Sequence, residues 1–531
     1  MTSDRLNRWL RAVLLIAAGV VTAGGFAPLQ WWPLAIIGPA AFFWLVRGGI
    51  DEHSLGVRSG LWRGWLFALG FYGALIGWIG VLGWYVTPGL VGLMSMHPAL
   101  VGLGVVLVRR LRWWPLWTAA CWSLGEWTAG RFPFGGFSWG RLAWTTADQP
   151  LGGWLGWVGA SGVSLLCAGV AAAIAHRIEV ARRRPLIAEG AVVALVLAGV
   201  ALGRVPAVPA TGQNVTIGMV QGNVDGSAGP DSMGYARSVT NNHLSETITL
   251  MARARTGVDP MPQFVLWPEN STDIDPTVDV ETRRMITEAQ QLVGVPMFIG
   301  IVRFGPGPDE RQTSGLWWTA DGPGQRYDKQ NLVPFGEYIP FRDQLLPRFP
   351  ILQQVGAQGV PGTLPGVTTA TVAGRPLTVG DMICFELAYD QTVHEMARLD
   401  PQVVVVQSNN STYTLTGQPA QQFQITRVRA MEMRREVVVA TTGSFSGHID
   451  AHGRVLDRTR EATAAARTYT VPVRQGVSLG VRIAPWVESG AALLALGAMV
   501  VGLVSAVTAS RARRLARLEG DRPAVATNQQ E

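Results

Sequence analysis

The most informative segment of this 531-residue chain is Tyr327-Asp328-Lys329-Gln330-Asn331-Leu332-Val333-Pro334-Phe335-Gly336-Glu337. It contains the only lysine in the chain, since every other basic residue among the 44 lysines and arginines is an arginine. Arginine presents a planar, always-charged fork of donors, whereas lysine presents a compact ammonium on a flexible stem. The pattern indicates that Lys329 occupies a site where the compact group is required.

Two other polar residues follow β-like segments, one on each side of Lys329 along the chain. Glu269 comes after Phe264-Val265-Leu266-Trp267-Pro268, in which the proline lacks a backbone donor and ends the strand. Cys384 comes after the apolar run at 377–383. Residues presented at strand ends commonly carry function. Glu269, Lys329 and Cys384 are therefore a candidate carboxylate, ammonium and thiol, spaced by 60 and then 55 residues.

Cys384 is the only cysteine between residues 212 and 475, because Cys121 and Cys167 lie in apolar stretches. With no disulfide partner there, it is predicted to be either a nucleophile or a small buried hydrophobic residue. Histidine is the usual activator of a thiol. The histidines of this segment are His243, His394, His448 and His452.

None of these histidines lies in a sequence resembling a thiol-protease motif, which leaves Glu269 as the candidate base. His448 and His452 are spaced like metal ligands, but both are flanked by glycines, which favours a hairpin turn over a metal site. We therefore expect neither a metal nor a cofactor.

Apolar residues make up 48% of the chain, which is too many for an ordinary soluble protein. A helix needs about 20 such residues to cross a bilayer. The expected fold is a polytopic α-helical membrane protein with a membrane domain at 1–208, an inserted α/β domain at 212–475, a last span at 484–507 and a disordered tail at 511–531. The predicted spans are 10–28, 31–46, 60–84, 87–108, 113–130, 154–175, 186–204 and 484–507.

Arginine clusters between the predicted spans indicate their orientation. With eight spans every cluster falls on one side, which the positive-inside rule makes the cytoplasm. Both termini are then cytoplasmic and the α/β domain faces outward. The net charge of +7 is explained by these clusters, so no nucleic-acid partner is expected. The clusters are Arg5, Arg8 and Arg11; Arg47, Arg58 and Arg63; Arg109, Arg110 and Arg112; Arg177, Arg182, Arg183 and Arg184; and Arg511, Arg513, Arg514 and Arg517.

Two features of the predicted membrane domain leave alternatives open. Glu126 in the fifth predicted span is either at the interfacial end of its helix or part of a polar pocket. The segment 131–153 is tryptophan-rich and is expected on the outer side. Tryptophan suits the membrane interface, so this segment either lines an entrance for lipid or forms an ordinary aromatic belt.

The motifs around the three candidate residues resemble those of the nitrilase (carbon–nitrogen hydrolase) superfamily, whose Glu-Lys-Cys triad sits in an αββα sandwich. Within that superfamily they look most like the bacterial apolipoprotein N-acyltransferases, which also have eight spans with the catalytic domain before the last. The matching strings are Trp267-Pro268-Glu269, the segment 327–337, Ile383-Cys384-Phe385-Glu386, Val215-Thr216-Ile217-Gly218-Met219-Val220-Gln221-Gly222-Asn223, Gln407-Ser408-Asn409-Asn410 and Arg429-Ala430-Met431-Glu432.

The resemblance implies an enzyme of the bacterial plasma (inner) membrane. Its acyl donor would be a membrane phospholipid, and its acceptor would be the α-amino group of the diacylglyceryl-cysteine at a lipoprotein N-terminus; we expect a monomer. In that chemistry Glu269 is the general base and Cys384 holds the acyl group as a thioester. Lys329 meets the oxyanion and lowers the pKa of the thiol, and the backbone N–H of Phe385 could add a second donor.

The resemblance also implies that Glu337 and Glu386 matter. We predict that Glu337 orients Lys329 or Glu269 and that Glu386 positions the loop around the thiol, the alternative for each being a surface salt bridge. Two departures bear on substrate contacts rather than on reaction class. Phe385 stands where the family often has tyrosine, and Asn410-Ser411-Thr412-Tyr413-Thr414 replaces a different loop sequence.

Two rival functions remain open at this point. One is a membrane-tethered amidase of the same fold, in which water replaces the amine in the second step. The other is a nonenzymatic membrane scaffold or transporter. An acyl adduct on Cys384 separates an enzyme from a scaffold, and an N-acylated peptide product separates a transferase from a hydrolase.

Overall fold

The computed structural model describes residues 3–48, 56–180, 187–226, 228–229 and 232–520, and it comprises a helical region and a domain of two β-sheets. The helices are α1 (Ser3–Ala23), α2 (Leu34–Arg47), α3 (Val57–Leu75), α4 (Val86–Met94), α5 (Met96–Val108), α6 (Trp114–Ala129), α7 (Leu155–Val180), α8 (Ile187–Leu202), α9 (Ser238–Arg255), α10 (Val280–Val293), α11 (Arg342–Leu345), α12 (Asp390–Arg398), α13 (Gly417–Met433) and α14 (Leu479–Gly520). The strands are β1 (Ala210–Gln221), β2 (Phe264–Leu266), β3 (Met297–Phe304), β4 (Glu310–Thr319), β5 (Gly322–Asp328), β6 (Gln358–Gly359), β7 (Val367–Val372), β8 (Arg375–Ile383), β9 (Val403–Ser408), β10 (Val437–Thr441), β11 (Gly447–Ile449), β12 (Val455–Arg458) and β13 (Ala465–Arg474).

Each predicted apolar segment contains a helix, but the helices differ in length. In the described part of the chain, four helical stretches are long and apolar enough to cross a membrane, and α2 and α8 are shorter apolar helices. The four stretches are Leu6–Ala23, Val86–Val108, Pro150–Val180 and Leu479–Arg511. The chain is therefore a membrane protein by composition and length of its helices, while the number of spans stays a prediction.

The apolar run at 60–84 was predicted to be one span, but the helix within it is shorter. α3 ends at Leu75 and a 3₁₀ turn follows over Gly77–Leu82. Gly77, Gly80 and Gly83 lie in this stretch, and each glycine in a helix costs about 1 kcal/mol relative to alanine. Hydropathy counts glycine as nearly neutral, so it does not register this break.

The C-terminal ends of α2, α5 and α7 meet at one end of the helical region. Arg47 donates from Nη1 to the carbonyl oxygen of Arg109 at 2.8 Å, and its Nε lies 2.9 Å from Glu179 Oε1. The first residues of three predicted arginine clusters, Arg47, Arg109 and Arg177, lie at this end. Arg182, Arg183 and Arg184 lie outside the described residues.

The inserted domain is a sandwich of two sheets. The first sheet has the order β13-β1-β2-β3-β4-β5, with β6 beside β4, and the second has the order β12-β11-β10-β9-β8-β7. Side chains from both sheets pack between them, including Phe264 and Trp317 from the first and Val379 and Val405 from the second. β9 reads Val-Val-Val-Val-Gln-Ser and is buried throughout, as expected of a central strand covered on both faces.

Helices cover both outer faces of the sandwich, which confirms the predicted αββα arrangement. α9 and α10 cover the first sheet, where Leu250 and Ile286 pack on Val265 and Ile299. α12 and α13 cover the second sheet, but their apolar core is continuous with that of the helical region. The second helix layer is thus enclosed between the sheet and the helical region.

The prediction of a disordered tail from residue 511 is wrong for residues 511–520. α14 continues through Gly520. The sequence Ser-Arg-Ala-Arg-Arg-Leu-Ala-Arg-Leu at 510–518 is polar, which suggested disorder. Alanine, arginine and leucine are however the strongest helix formers, so the helix can extend beyond its apolar part. Residues 521–531 lie outside the described residues.

Candidate active site

The three candidate residues lie at the ends of strands from both sheets. Glu269 follows β2 and Lys329 follows β5, both in the first sheet, whereas Cys384 follows β8 in the second. Cys384 has φ +53°, a left-handed conformation that is uncommon outside glycine. The strand thereby turns sharply into a 3₁₀ turn, Cys384–Ala388, with the thiol at its start.

Lys329 is bound between two carboxylates. Its Nζ donates to Glu269 Oε1 and to Glu337 Oε1, at 2.8 Å each. Only 1% of the lysine side chain and 3% of the Glu269 side chain are exposed. Burying an ammonium is costly unless it is paired, so the two carboxylates account for this position of the chain's only lysine.

The other oxygens of the two carboxylates accept backbone hydrogen bonds. Glu269 Oε2 accepts from the N–H of Asn409 at 2.7 Å, and Glu337 Oε2 accepts from the N–H of Val333 at 2.7 Å. Of the two predicted roles for Glu337, its contacts match the orientation of Lys329. It is not a surface salt bridge.

Glu386 is fully buried and connects the loop that carries Lys329 to the loop that carries Cys384. Its Oε1 accepts from Tyr327 Oη at 2.6 Å and from the N–H of Gln330 at 2.6 Å, while its Oε2 accepts from the N–H of Ile383 at 2.8 Å. Gln330 follows Lys329 and Ile383 precedes Cys384. These contacts match the predicted positioning of the loop around the thiol, and they extend it to the loop that carries the lysine.

The thiol of Cys384 faces neutral polar groups that the sequence did not reveal as part of the site. Its Sγ lies 3.8 Å from Gln422 Oε1 on α13. The same oxygen accepts from Asn410 Nδ2 at 2.9 Å, and Gln422 Nε2 donates to Ser408 Oγ at 2.6 Å. The signal in the sequence was a set of glutamines at 418, 421, 422 and 424, all of which are buried in this helix.

The electrostatics of the site keep the thiol protonated at rest. Burial and the charge of Glu269 raise the pKa of Cys384 to about 12, although Lys329 lowers it. Lys329 thus lowers the pKa of the thiol, as predicted, but burial and the charge of Glu269 raise it by more. Burial also raises the pKa of Glu269, against the lowering effect of Lys329. The raised pKa of Glu269 favours transfer of the thiol proton to this carboxylate during attack, whereas the raised pKa of the thiol opposes it.

The charge on Lys329 is secured by its surroundings. Burial lowers the pKa of Lys329, but Glu269, Glu337 and Cys384 raise it, and the result is a pKa well above the ordinary value. The ammonium therefore stays charged throughout the neutral range. It can stabilise negative charge that develops beside it.

Aromatic residues from the helical region approach the site. Phe385 stacks on Phe137 and Trp139, with ring centroids 5.7 and 6.1 Å apart. Tyr389 Oη donates to the carbonyl oxygen of Gly136 at 2.5 Å. The segment at 131–153 thus reaches the turn that carries Cys384, where Phe385 has an aromatic environment.

Buried charges also connect the helical region to the domain. Glu126 accepts from the N–H of Leu142 at 2.9 Å and lies 3.8 Å from Arg141. Arg141 also pairs with Asp390, the first residue of α12, which in turn pairs with Arg429 at 2.7 Å. Glu126 therefore faces polar partners in a pocket, although it also lies in the last turn of α6.

His394 belongs to this buried network, because its Nε2 lies 3.0 Å from Glu432 Oε1 and Glu432 also accepts from Arg429. His448 lies in β11 and His452 lies in the turn that leads to β12. Among the residues that the structure describes, no group of three or more histidine, cysteine, aspartate or glutamate side chains could hold a metal ion.

Comparison with known proteins gives matches over nearly the whole chain. The family model for the apolipoprotein N-acyltransferase N-terminal domain matches residues 18–173, and the carbon-nitrogen hydrolase model matches residues 262–473. The apolipoprotein N-acyltransferase of Mycolicibacterium smegmatis is 33% identical, covering 94% of this chain and 86% of that protein. The one from Allorhizobium ampelinum is 28% identical, covering 86% and 88%. A mutant of the Nesterenkonia AN1 amidase from the nitrilase superfamily aligns with a TM-score of 0.36 and 16% identity, over 52% of this chain and 95% of that one.

Proposed function

The chain belongs to the apolipoprotein N-acyltransferase family, and from this premise we propose that it transfers a fatty acyl chain from a membrane phospholipid to the α-amino group of a diacylglyceryl-cysteine. The observation that carries the proposal is the buried Lys329 ammonium. It is fixed by Glu269 and Glu337 and acts electrostatically on the Cys384 thiol. This arrangement supplies a base, an oxyanion partner and a nucleophile at one point.

In the first half-reaction Glu269 takes the proton of the Cys384 thiol while the sulfur attacks the ester carbonyl of the phospholipid. The carbonyl oxygen becomes an oxyanion beside the Lys329 ammonium, and the N–H of Phe385 is a second donor in this proposal. The carbon–oxygen bond then breaks. The lysophospholipid alkoxide leaves with the proton from Glu269, and the acyl group remains as a thioester.

In the second half-reaction the amine of the acceptor attacks the thioester carbonyl. Glu269 takes a proton from the attacking nitrogen, the carbon–sulfur bond breaks, and the thiolate of Cys384 regains a proton from Glu269. The product is an amide and the enzyme returns to its resting state. The base thus acts in both directions, which suits a carboxylate whose pKa is raised by burial.

The position of the site next to the helical region supports a lipid donor. Phe137 and Trp139 form an apolar wall against Phe385, the residue after the nucleophile. A soluble substrate needs no such wall, whereas an acyl chain does. The segment 131–153 is accordingly proposed as part of the lipid entrance.

The proposed topology has eight spans, cytoplasmic termini and the domain of residues 210–474 on the outer face of the bacterial plasma membrane. The meeting of Arg47, Arg109 and the end of α7 at one end of the helical region supports it, since arginines concentrate on the cytoplasmic side. We propose a monomer as the working unit, with no cofactor.

The test uses full-length protein in phospholipid vesicles with an acyl-labelled donor and a synthetic diacylated lipopeptide. Without the lipopeptide, mass spectrometry should find the labelled acyl group on Cys384, and none in Cys384→Ala. Adding the lipopeptide should discharge the adduct into an N-acylated peptide. Release of free fatty acid without N-acylated peptide would favour the amidase, and no adduct at all would contradict both enzyme functions.

A further inference from the structure

A further carboxyl group, that of Asp381, lies buried between the two sheets close to the triad. Asp381 on β8 and Gln407 on β9 are on the sheet face that packs against the first sheet, in line with Val379 and Val405. Gly315 on β4 lies opposite. A Cβ on this glycine would be 2.5 Å from Asp381 Oδ2 and 2.5 Å from Gln407 Oε1, so both oxygens border the space that the absent side chain leaves.

Both groups present acceptor oxygens to this space. Within the described residues, the two carboxyl oxygens of Asp381 have no hydrogen-bond donor. The amide oxygen of Gln407 has none either. The amide nitrogen of Gln407 is already committed, because it donates to the carbonyl oxygen of Trp267 at 2.6 Å. Turning the amide over would only place two oxygens together at Trp267. Buried acceptors in native proteins are almost always paired with a donor.

We propose that Asp381 is protonated at neutral pH and donates to Gln407 Oε1, so that it acts as a positioning residue for Glu269. This inference rests on the proposed function of the triad. The chain of contacts runs from the carboxyl of Asp381 through the Gln407 amide to the carbonyl of Trp267, two residues before Glu269. The neutral acid sets the orientation of the amide. An ionised Asp381 would attract the amide nitrogen and withdraw it from Trp267.

The surroundings favour the neutral form. Burial raises the pKa of Asp381 well above its ordinary value, and the charges of Glu386 and Glu269 raise it further. The backbone N–H of Met382 lowers this pKa only in part, because its geometry is too poor for a proper hydrogen bond to the carboxyl oxygens. The hydroxyl of Tyr327 on β5 is the remaining titratable group nearby, and it is neutral because burial and Glu386 raise its pKa well above 10.0.

The first test reads the proton directly. Infrared spectra of the full-length protein in detergent at neutral pH should contain a protonated-carboxyl band that is lost in Asp381→Asn. A spectrum without such a difference would overturn the proposal. This measurement requires no turnover, so it stands even if the acyl-transfer function fails.

The second test follows alkylation of Cys384 by iodoacetamide against pH, with the modified peptide quantified by mass spectrometry. Asp381→Leu, which cannot donate, should slow alkylation by about tenfold or more. Asp381→Asn can donate to Gln407, so its alkylation rate should be within about threefold of that of the unmodified protein. The pH midpoint of alkylation should be the same in these two proteins. A midpoint that moves to lower pH in Asp381→Asn would mean that a negative charge had been removed near Glu269, and would refute the neutral acid.

A double-mutant cycle shows whether Asp381 acts through Gln407. In a Gln407→Leu background, Asp381→Leu should slow alkylation by less than about twofold, because the intermediary is already absent. Full additivity of the two changes would contradict the proposed route. Thermal unfolding of each variant identifies any that do not fold, and the infrared difference between the unmodified protein and Asp381→Asn remains the test if the leucine variants do not fold.

Discussion

Of the groups around the Cys384 thiol, the first sheet supplies the charged ones, whereas the second sheet and its covering helix supply the neutral ones. Glu269 and Lys329 follow strands of the first sheet, and Glu337 lies in the loop that continues from Lys329. Cys384 and Ser408 follow or end strands of the second sheet, and Gln422 comes from the helix that covers it. The thiol thus meets fixed charges on one side and hydrogen-bonding amides and hydroxyls on the other.

The two sides also have different neighbours. The first sheet is covered by α9 and α10, whose apolar faces form a separate core. The second sheet is covered by α12 and α13, whose core is shared with the helical region. Charge that stabilises a transition state is most effective away from water and well fixed. The proposed acyl carrier, Cys384, is instead on the sheet whose outer core is shared with the helical region.

Replacing Lys329 by arginine tests the charged side of the site. It should reduce the rate of adduct formation more than either of the other two substitutions. The larger planar fork cannot occupy the buried position between Glu269 and Glu337 in the same geometry. We expect the rate of acyl adduct formation on Cys384 to fall by about 10²–10³-fold. Arg284→Lys is a matched control, since Arg284 is exposed on α10 and pairs only with Glu281 and Glu288. A largely active Lys329→Arg protein would refute the oxyanion role.

The charged side of the site could be predicted from the sequence because each member has a distinctive chemical identity. Lys329 is the only lysine, Cys384 is the only cysteine of its domain, and Glu269 follows a proline that ends a strand. The αββα sandwich was predictable through the same motifs. Rare residue types at strand ends are visible without any knowledge of contacts.

The neutral side could not be predicted in this way. Gln422 lies on a helix, 38 residues after Cys384. Glutamine is a common residue type, so the sequence does not distinguish this glutamine from the others on the helix. The pair of Arg141 with Asp390 joins residues 249 positions apart, so only the folded structure reveals it. The lengths of the apolar helices were also misjudged, because hydropathy does not register the glycines that end α3 or the helix formers that extend α14.

Glu337→Gln should have a smaller effect and should shift the pH dependence. Glu269 must be unprotonated to accept the thiol proton, so the rate falls as pH drops through its pKa. The charge of Glu337 raises that pKa, and its removal should lower it. We therefore expect the acid limb of the pH–rate profile to move to lower pH, with a maximal rate about tenfold lower because Lys329 loses one partner. Glu288→Gln, on the exposed face of α10, should leave the profile in place.

Gln422→Leu tests the neutral side and should have the smallest effect of the three. Leucine is close in size but cannot accept from the thiol or connect Asn410 to Ser408. We expect adduct formation to slow by about tenfold, since a buried donor is left without its partner. Because glutamine carries no charge, the midpoint of the pH–rate profile should not move, in contrast to Glu337→Gln.

Gln424→Leu is the matched control for Gln422→Leu, because Gln424 is buried on the same helix but contacts Gln30 and Arg427 instead of the thiol. Equal losses in the two variants would mean that the helix as a whole, and not the amide facing Cys384, determines the rate. A shift of the acid limb in Gln422→Leu would mean that the amide acts on the pKa of Glu269. Either result would remove the distinction between a charged side that sets the proton transfer and a neutral side that positions the thiol.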